Sequence, residues 1–457
     1  MNIDKGNRME NLKKTYMEYP FLTKPLAIYE RENGHKIVIG YKKGGLCNVS
    51  TWVKTGSINE NDKNNGVSHF LEHLMFKGTH ENKAGYFDRT LERKGAIVNA
   101  ATWKDYTFYY VTIPKGMDNE NFYEALHLHA DMMLDPVIPD EEIGEPFDIN
   151  SEPPAVKRER HVVIEEISMR KDQPWTKVYN LLNRNMYQNH PYKRDVIGTE
   201  EIISQIKREE VLDYYKTHYT PNAMTTIIVG DFEPDEIIEK VCSEFDFKGR
   251  ENYYPPKHTP DVPKESKQVF EITGEVETSI IMYGWLTSPA DDIKTVIAFD
   301  IISIILGEGQ SSRLYQNLVE KRPDSGIISV ETTPYSFKDG GNFFIQGAFY
   351  SDKKDSVINL IEQELNKFLS EGFSDSEFKK AVKKLKVRFA QETETVSEIA
   401  ETIGYYSTVC SDVSKINDYY KILNTITKDD VSEVIKNCLD LEKSTVAILM
   451  PQKTKKD

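Results

Sequence analysis

Cysteine is scarce in this sequence. Its four residues, Cys47, Cys242, Cys410 and Cys438, lie far apart, and none forms a C-x-x-C pair. A disulfide framework, the device of small secreted domains, is thereby excluded, and all four read as reduced thiols in packing roles. Long apolar runs are missing as well. No stretch approaches the roughly 18 residues that a membrane-spanning helix needs, so no membrane partner is expected. Cationic excess is also missing. Lys and Arg number 58 against 73 Asp and Glu, a formal net charge of -15. Such a balance leaves no clustered basic footprint for phosphates, so nucleic acid is excluded as a partner. Met1 to Pro20 is charged and has no continuous apolar core. It does not read as a secretory signal, and the expected location is cytoplasmic. Two catalytic devices are absent too. Neither Ser311 nor Ser312 sits in a G-x-S-x-G elbow, and Gly307-Glu308-Gly309 is too short to cradle a phosphate.

What is there is an ordinary globular balance over 457 residues, 39% hydrophobic and 29% charged. That supports sizeable cores and excludes collagen, a coiled-coil rod or a wholly disordered chain. The chain reads as two halves, 1–248 and 268–457, joined by a Pro-rich, charged connector over 249–267. The halves echo each other. Each opens with strand-like segments, Lys36 to Tyr41 and Asn48 to Lys54 in the first, Gln268 to Ile272 and Ser279 to Trp285 in the second. A helical stretch follows, Val67 to Phe76 or Ile293 to Leu306. Each half closes with an amphipathic helix, Lys207 to Lys216 or Lys428 to Cys438, and an apolar strand, Thr225 to Gly230 or Thr445 to Met450. A repeated α+β unit is the natural reading. Residues 140–156 (DEEIGEPFDINSEPPAV) break the rhythm: acidic, aperiodic and Pro-rich, they read as a mobile surface insertion.

The chemistry concentrates in His69-Phe70-Leu71-Glu72-His73, an H-x-x-E-H pentapeptide. On a helix, positions i and i+4 share a face, so the two imidazoles project together as ligands of one ion require. Glu72 lies where a general base for a metal-bound water belongs. Zinc needs a third protein ligand and a hydrolytic site keeps the fourth position open. The stretch Val156 to Arg170 is helix-like, and it places Glu159 and Glu166 two turns apart on one face. Glu165 points about 100° away. Spacing alone leaves Glu166 and Glu165 both open. His127 and His129 are i and i+2 on a helix, which do not face each other, so neither is expected to bind metal. His35, His190 and His218 read as surface or packing residues.

These blocks resemble the zinc peptidases of the pitrilysin and insulinase superfamily, above all its shorter members such as the β subunit of mitochondrial processing peptidase and bacterial relatives. The resemblance rests on VSHFLEHLMFKGT (Val67 to Thr79), the strand-like NAATWKDYTFYY (Asn99 to Tyr110) and ERHVVIEEI (Glu159 to Ile167). HPYKRDVIGTEE (His190 to Glu201), YYKTHYTPNAMTTIIVGDF (Tyr214 to Phe232) and GEGQSSRLYQNLV (Gly307 to Val319) extend it over most of the chain. It implies an α+β fold of two homologous halves, each a mainly antiparallel sheet flanked by helices, forming a clamshell on dimerisation. It implies one Zn2+ per chain held by His69, His73 and Glu166, with Glu72 as base and Glu159 supporting the ligands. The family register selects Glu166 over Glu165. The interval of 92 residues between His73 and Glu166 is longer than in typical relatives, and the 140–156 insertion accounts for it. Substrate would add as a strand beside Asn99 to Tyr110.

One departure matters. Active relatives carry an Arg and a Tyr in the second half, after the SSRLY helix. Here that stretch reads LVEKRPDSGIISVETTPY, with no tyrosine between Tyr315 and Tyr335. The Tyr slot falls at Ile328, and the Arg slot at Lys321 or Arg322. The resemblance then implies a zinc endopeptidase of extended peptides or leader segments that works as the zinc-bearing subunit of a heterodimer, with a homodimer as fallback. The contrasting expectation is a non-catalytic structural or peptide-binding subunit. The acidic balance favours basic peptides as substrates.

Overall fold

A computed structural model of the chain describes residues 12–151 and 156–452. Its strands form where the sequence is most continuously apolar. KIVIGY, LCNVSTWV and MTTIIVG are buried almost throughout, as strands covered on both faces must be. The first sheet comprises β1 (Lys13–Met17), β2 (Leu26–Glu30), β3 (Lys36–Tyr41), β4 (Leu46–Val53), β5 (Ile97–Thr102), β6 (Thr107–Pro114) and β7 (Met224–Gly230). The second comprises β8 (Gln268–Gly274), β9 (Ser279–Thr287), β10 (Ile327–Phe337), β11 (Gly340–Phe349) and β12 (Thr445–Pro451). Their orders are β1-β2-β3-β7-β4-β6-β5 and β10-β11-β9-β12-β8.

The repeat is exact at the level of pairing. β3 and β7 run parallel, and β7-β4, β4-β6 and β6-β5 are antiparallel. In the second sheet β8 and β12 run parallel, and β12-β9, β9-β11 and β11-β10 are antiparallel. The β1-β2 hairpin is an addition to the first sheet. The fold is therefore α+β, two topologically equivalent sheets with flanking helices. The strand-like segment Asn99 to Tyr110 is corrected to a hairpin, β5 and β6 joined at Trp103–Tyr106, where Trp103 N donates to Tyr106 O at 2.8 Å. No glycine or proline marks that turn, which is why the sequence reads through it.

The two compact units do not follow a single cut at the connector. Among the described residues, one comprises 12–151, 156–167, 195–257 and 390–417, and the other 168–194, 258–389 and 418–452. In the first, helix Val396–Thr408 packs on β4 and β7; in the second, helix Pro174–Met186 packs on β9 and β12. Each sheet thus has a helix from the opposite half of the sequence over one face. This differs from the expected division at 249–267, because an amphipathic helix does not encode which sheet it will cover. Part of the connector is pinned within each unit. Arg250 donates to Tyr219 O at 3.1 Å, and Asp261 accepts from the backbone N–H groups of Gln188, Asn189 and His190.

The insertion is tethered over 140–151. Residues Asp140–Ile143 form a helical turn with Ile143 buried. The Phe147 ring stacks on His161 at 4.9 Å, and Phe147 N donates to Ser204 O at 3.1 Å. Mobility was expected from composition, but these contacts hold the segment. Residues 152–155 lie outside the described residues. Among the described residues, no helix is long and apolar enough to cross a membrane.

Candidate active site

The site is built on helix Val67–Met75. Val67, Phe70, Leu71 and Leu74 enter the core and leave His69, Glu72 and His73 on another face. The helix is anchored at its start by Glu60. This buried carboxylate accepts from Gly66 N at 2.8 Å, Ser68 N at 2.9 Å and Asn65 Nδ2 at 2.8 Å. It thereby satisfies amide groups that the first turn leaves open and places negative charge at the positive end of the helix dipole. Gly66 has φ +96° and packs against Gly198 of the 190–201 block. A Cβ on Gly198 would come within 2.4 Å of Asn65 O.

The second element is helix Glu159–Asp172, held by Val163 and Ile167 in the core. Arg160 is fully buried. Its guanidinium donates to the carbonyls of Gly144 and Ile203 and lies 5.3 Å from the centre of the Phe70 ring. This contact ties the two functional helices together.

The helices bring three donors to one point. His69 Nε2 lies 3.6 Å from Glu166 Oε2, and His73 Nε2 lies 3.4 Å from the same oxygen. All three ligand atoms lie within 4.8 Å of one another. Ligands about 2.1 Å from a tetrahedral zinc stand about 3.4 Å apart, so the spacing fits that ion with little adjustment. Two nitrogens and one carboxylate oxygen are also a donor set that zinc takes. Glu165 instead pairs with Lys157 on the exposed side of its helix.

The neighbours of the ligands complete the arrangement. His73 Nδ1 donates to Glu159 Oε1 at 2.9 Å, which leaves Nε2 to face the common point. Lys77 Nζ is 2.6 Å from the other Glu159 oxygen. Burial acts to raise the Glu159 pKa, but its bonds to His73 and Lys77 outweigh burial and hold it below the usual range. Burial acts to lower the pKa of His73. The bonds to Glu159 and Glu166 and the charge of Glu72 overcome it and push His73 up to about 9. Three carboxylates around two imidazoles demand positive charge, which a divalent ion supplies. Thr102 Oγ1 donates to Glu72 Oε2 at 2.5 Å and so orients the expected base.

Asn99 is placed differently. It lies on β5, the edge strand of its sheet, exposed, with Oδ1 accepting from Ala100 N at 2.9 Å. Thr102 faces Glu72, so strand alternation turns Asn99 to the other face. The free edge of β5 is nonetheless beside the site. His129 is buried against Thr51, and His127 pairs with Glu81 and Glu244, so neither joins a metal cluster. Buried His35 bonds Thr226. His190 and His218 are also buried, and His218 packs beside Tyr214.

Sequence reasoning missed Glu60, Lys77, Thr102 and Arg160. Lys77, one turn after His73, carried a readable signal; the others act across the fold. In the second unit the equivalent helix Ile293–Leu306 is apolar, and His69, His73 and Glu166 form the one metal-competent group found among the described residues. Ile328 lies on β10, which repeats the position of β5, and is 41% exposed.

A duplicated α+β fold with an H-x-x-E-H helix and a distant glutamate converging on one point defines an inverted-motif metallopeptidase architecture. Family comparison agrees. The profile for insulinase, peptidase family M16, matches residues 36–200, and that for the peptidase M16 inactive domain matches residues 205–385. The chain belongs to this family. It is 27% identical over 431 residues to the uncharacterized zinc protease YmxG of Bacillus subtilis (strain 168), covering 93% of this chain and 98% of the relative. It is 27% identical over 415 residues to the zinc protease PqqE of Helicobacter pylori, covering 90% of this chain and 88% of that one. The crystal structure of a protease from Helicobacter pylori shares the fold, with a TM-score of 0.81 at 23% identity over 96% of this chain and 100% of that chain.

Proposed function

We propose that this chain is a zinc-dependent endopeptidase that cleaves extended peptides or leader segments. The convergence of His69, His73 and Glu166, with Glu72 alongside, carries the reading. Those three residues would hold one Zn2+ per chain, which supplies a polarised carbonyl and a bound water of lowered pKa. Glu72 accepts the water's proton and returns it to the leaving amine. Thr102 keeps the Glu72 carboxylate in place, and Glu159 and Lys77 fix the His73 ring. Peptide adds to the free edge of β5 near Asn99, where backbone groups read backbone and favour unfolded segments.

The Ile328 position and the Lys321–Arg322 pair support a division of labour. A homologous partner supplies the missing Arg and Tyr in a clamshell heterodimer, and this chain supplies the zinc; a homodimer is the fallback. The same missing tyrosine favours the second reading, a non-catalytic peptide-binding subunit. The compartment proposed is the cytoplasm. Metal analysis with Glu72→Gln separates the readings. The enzyme reading expects one zinc in both proteins and loss of peptide cleavage in the variant by about 100-fold or more. Unchanged cleavage, with or without a partner, refutes it.

A further inference from the structure

Three hydroxyls far apart in the sequence meet at the start of the H-x-x-E-H helix. Thr55 follows β4, Ser68 immediately precedes the ligand His69, and Tyr214 lies on helix Arg208–His218. They are 1%, 0% and 6% exposed, so their polar atoms must find partners inside the fold. The Tyr214 hydroxyl is the junction. It lies 2.7 Å from Thr55 Oγ1 and 2.8 Å from Ser68 Oγ, the best separation for a pair of hydroxyls. The Gly56 carbonyl, at 3.3 Å, is a weaker acceptor for it.

The two ends of this row fix its direction. Asn59 Nδ2, which can only donate, lies 3.0 Å from Thr55 Oγ1. At the other end the Ser68 side chain bonds the Glu60 carboxylate, which accepts. Every contact then holds a proton in one order alone: Asn59 donates to Thr55, Thr55 to Tyr214, Tyr214 to Ser68 and Ser68 to Glu60. A row of donors that ends on a charge polarises along its length, and each member strengthens the next. Burial, and after it the charge of Glu60, hold the Tyr214 phenol well above its ordinary pKa, so it stays a neutral donor. Thr55 also reaches the base by a second route. Its carbonyl accepts from Thr107 Oγ1 at 3.0 Å. Thr107 is the direct partner of Thr102 across β5 and β6, and Thr102 donates to Glu72. One residue thus joins the helix that carries Glu72 to the strand pair that holds it.

We propose that Tyr214 is a positioning residue for the base: its hydroxyl locks the start of the H-x-x-E-H helix to Thr55 and so keeps Glu72 in register with Thr102. The proposal rests on the zinc-peptidase reading of the site. Tyr214 acts through Ser68 and Thr55. Phenylalanine at this position keeps the ring and its packing and deletes only the junction, so the helix and the β5-β6 hairpin lose their shared anchor. The spacing of His69, His73 and Glu166 depends instead on the contact between their two helices, and zinc binding is retained.

The test compares the wild-type chain, Tyr214→Phe, Thr102→Val and the double variant in cleavage of an unfolded peptide and in backbone hydrogen exchange. Tyr214→Phe is expected to lower kcat about three- to tenfold with KM and zinc content unchanged. It is also expected to speed exchange over 67–75 about threefold or more while the second sheet exchanges as before. The double variant loses little more than Thr102→Val alone, because both act through one carboxylate. Thr55→Val repeats the loss, and Thr55→Ser, which keeps the hydroxyl, restores turnover. Unchanged exchange over 67–75, a kcat within about twofold of wild type, a loss carried by KM, or losses that multiply in the double variant overturns the proposal. An inactive wild-type chain, or unchanged cleavage in Glu72→Gln, overturns the zinc-peptidase reading instead, and hydrogen exchange then decides the Tyr214 junction by itself.

Discussion

Replacing Glu159 by glutamine isolates what the carboxylate behind His73 contributes. Glu159 Oε1 is 2.9 Å from His73 Nδ1 and Oε2 is 2.6 Å from Lys77 Nζ, with 12% of the side chain exposed. Glutamine keeps an acceptor for the imidazole, removes the charge and turns an NH2 toward Lys77. Loss of such support costs about 10- to 100-fold in metal affinity, or about 1.4–2.8 kcal/mol. Protons complicate the reading in a calculable way. His73 titrates at about 9, so near neutral pH the metal must displace a proton. At about pH 7.5 that competition costs about 30-fold. The wild-type zinc affinity therefore rises about tenfold per pH unit and levels off above about pH 9. Removing the Glu159 charge lowers the His73 pKa and relieves part of that competition. The defect is then partly masked near neutrality and fully visible only in alkali, and the variant's curve levels off at lower pH. Competition with a chelator of known affinity from about pH 6.5 to about pH 9.5 measures both curves. Superimposable curves would refute the reasoning, because Glu159 would then neither hold His73 nor set its basicity.

Other consequences are equally direct. Thr102→Val removes the 2.5 Å hydrogen bond to Glu72 and is expected to lower kcat about tenfold with little change in KM, whereas Thr102→Ser retains activity. Equal losses in both variants would show a packing effect instead. Gly198→Ala forces a Cβ to within 2.4 Å of Asn65 O at φ +81°, with an expected loss of about 2 kcal/mol or more in thermal unfolding. An unshifted melt would mean the loop moves freely from the helix start. The purified chain alone is expected to cleave an unfolded peptide slowly, and a homologous chain bearing the Arg and Tyr is expected to raise turnover at least tenfold. Full turnover without it retires the heterodimer.

The legibility of this protein followed the range of each interaction. H-x-x-E-H is readable because helical spacing alone puts His69 and His73 on one face. The buried strands are readable because KIVIGY and TTIIVG have no polar face to hide. The β5-β6 turn was not, since Trp103–Tyr106 contains neither glycine nor proline. The exchange of helices 174–186 and 396–408 was not, since their apolar faces fit either sheet. The structure brings Glu166 rather than Glu165 to the histidines, a choice that helical phase left open and that the family register, not spacing, had made; the packing of Val163 and Ile167 holds that face inward.

The same reasoning ranks what holds the site. The ligands are local to two helices, but their convergence depends on where those helices begin and how they touch. Glu60 sets the start of the first helix through two backbone N–H groups, and the Gly66–Gly198 approach sets its height against the following loop. Arg160 on Phe70 sets the spacing between the helices. None of these residues is expected to touch metal or substrate, yet displacement of any one moves Nε2 of His69 relative to Oε2 of Glu166. An Arg160→Met chain should therefore lose zinc affinity as well as stability, because the methionine fills the volume but cannot bond the Gly144 and Ile203 carbonyls. A chain that unfolds about 2 kcal/mol more easily yet binds zinc with native affinity would show that the two helices are spaced by their apolar cores alone.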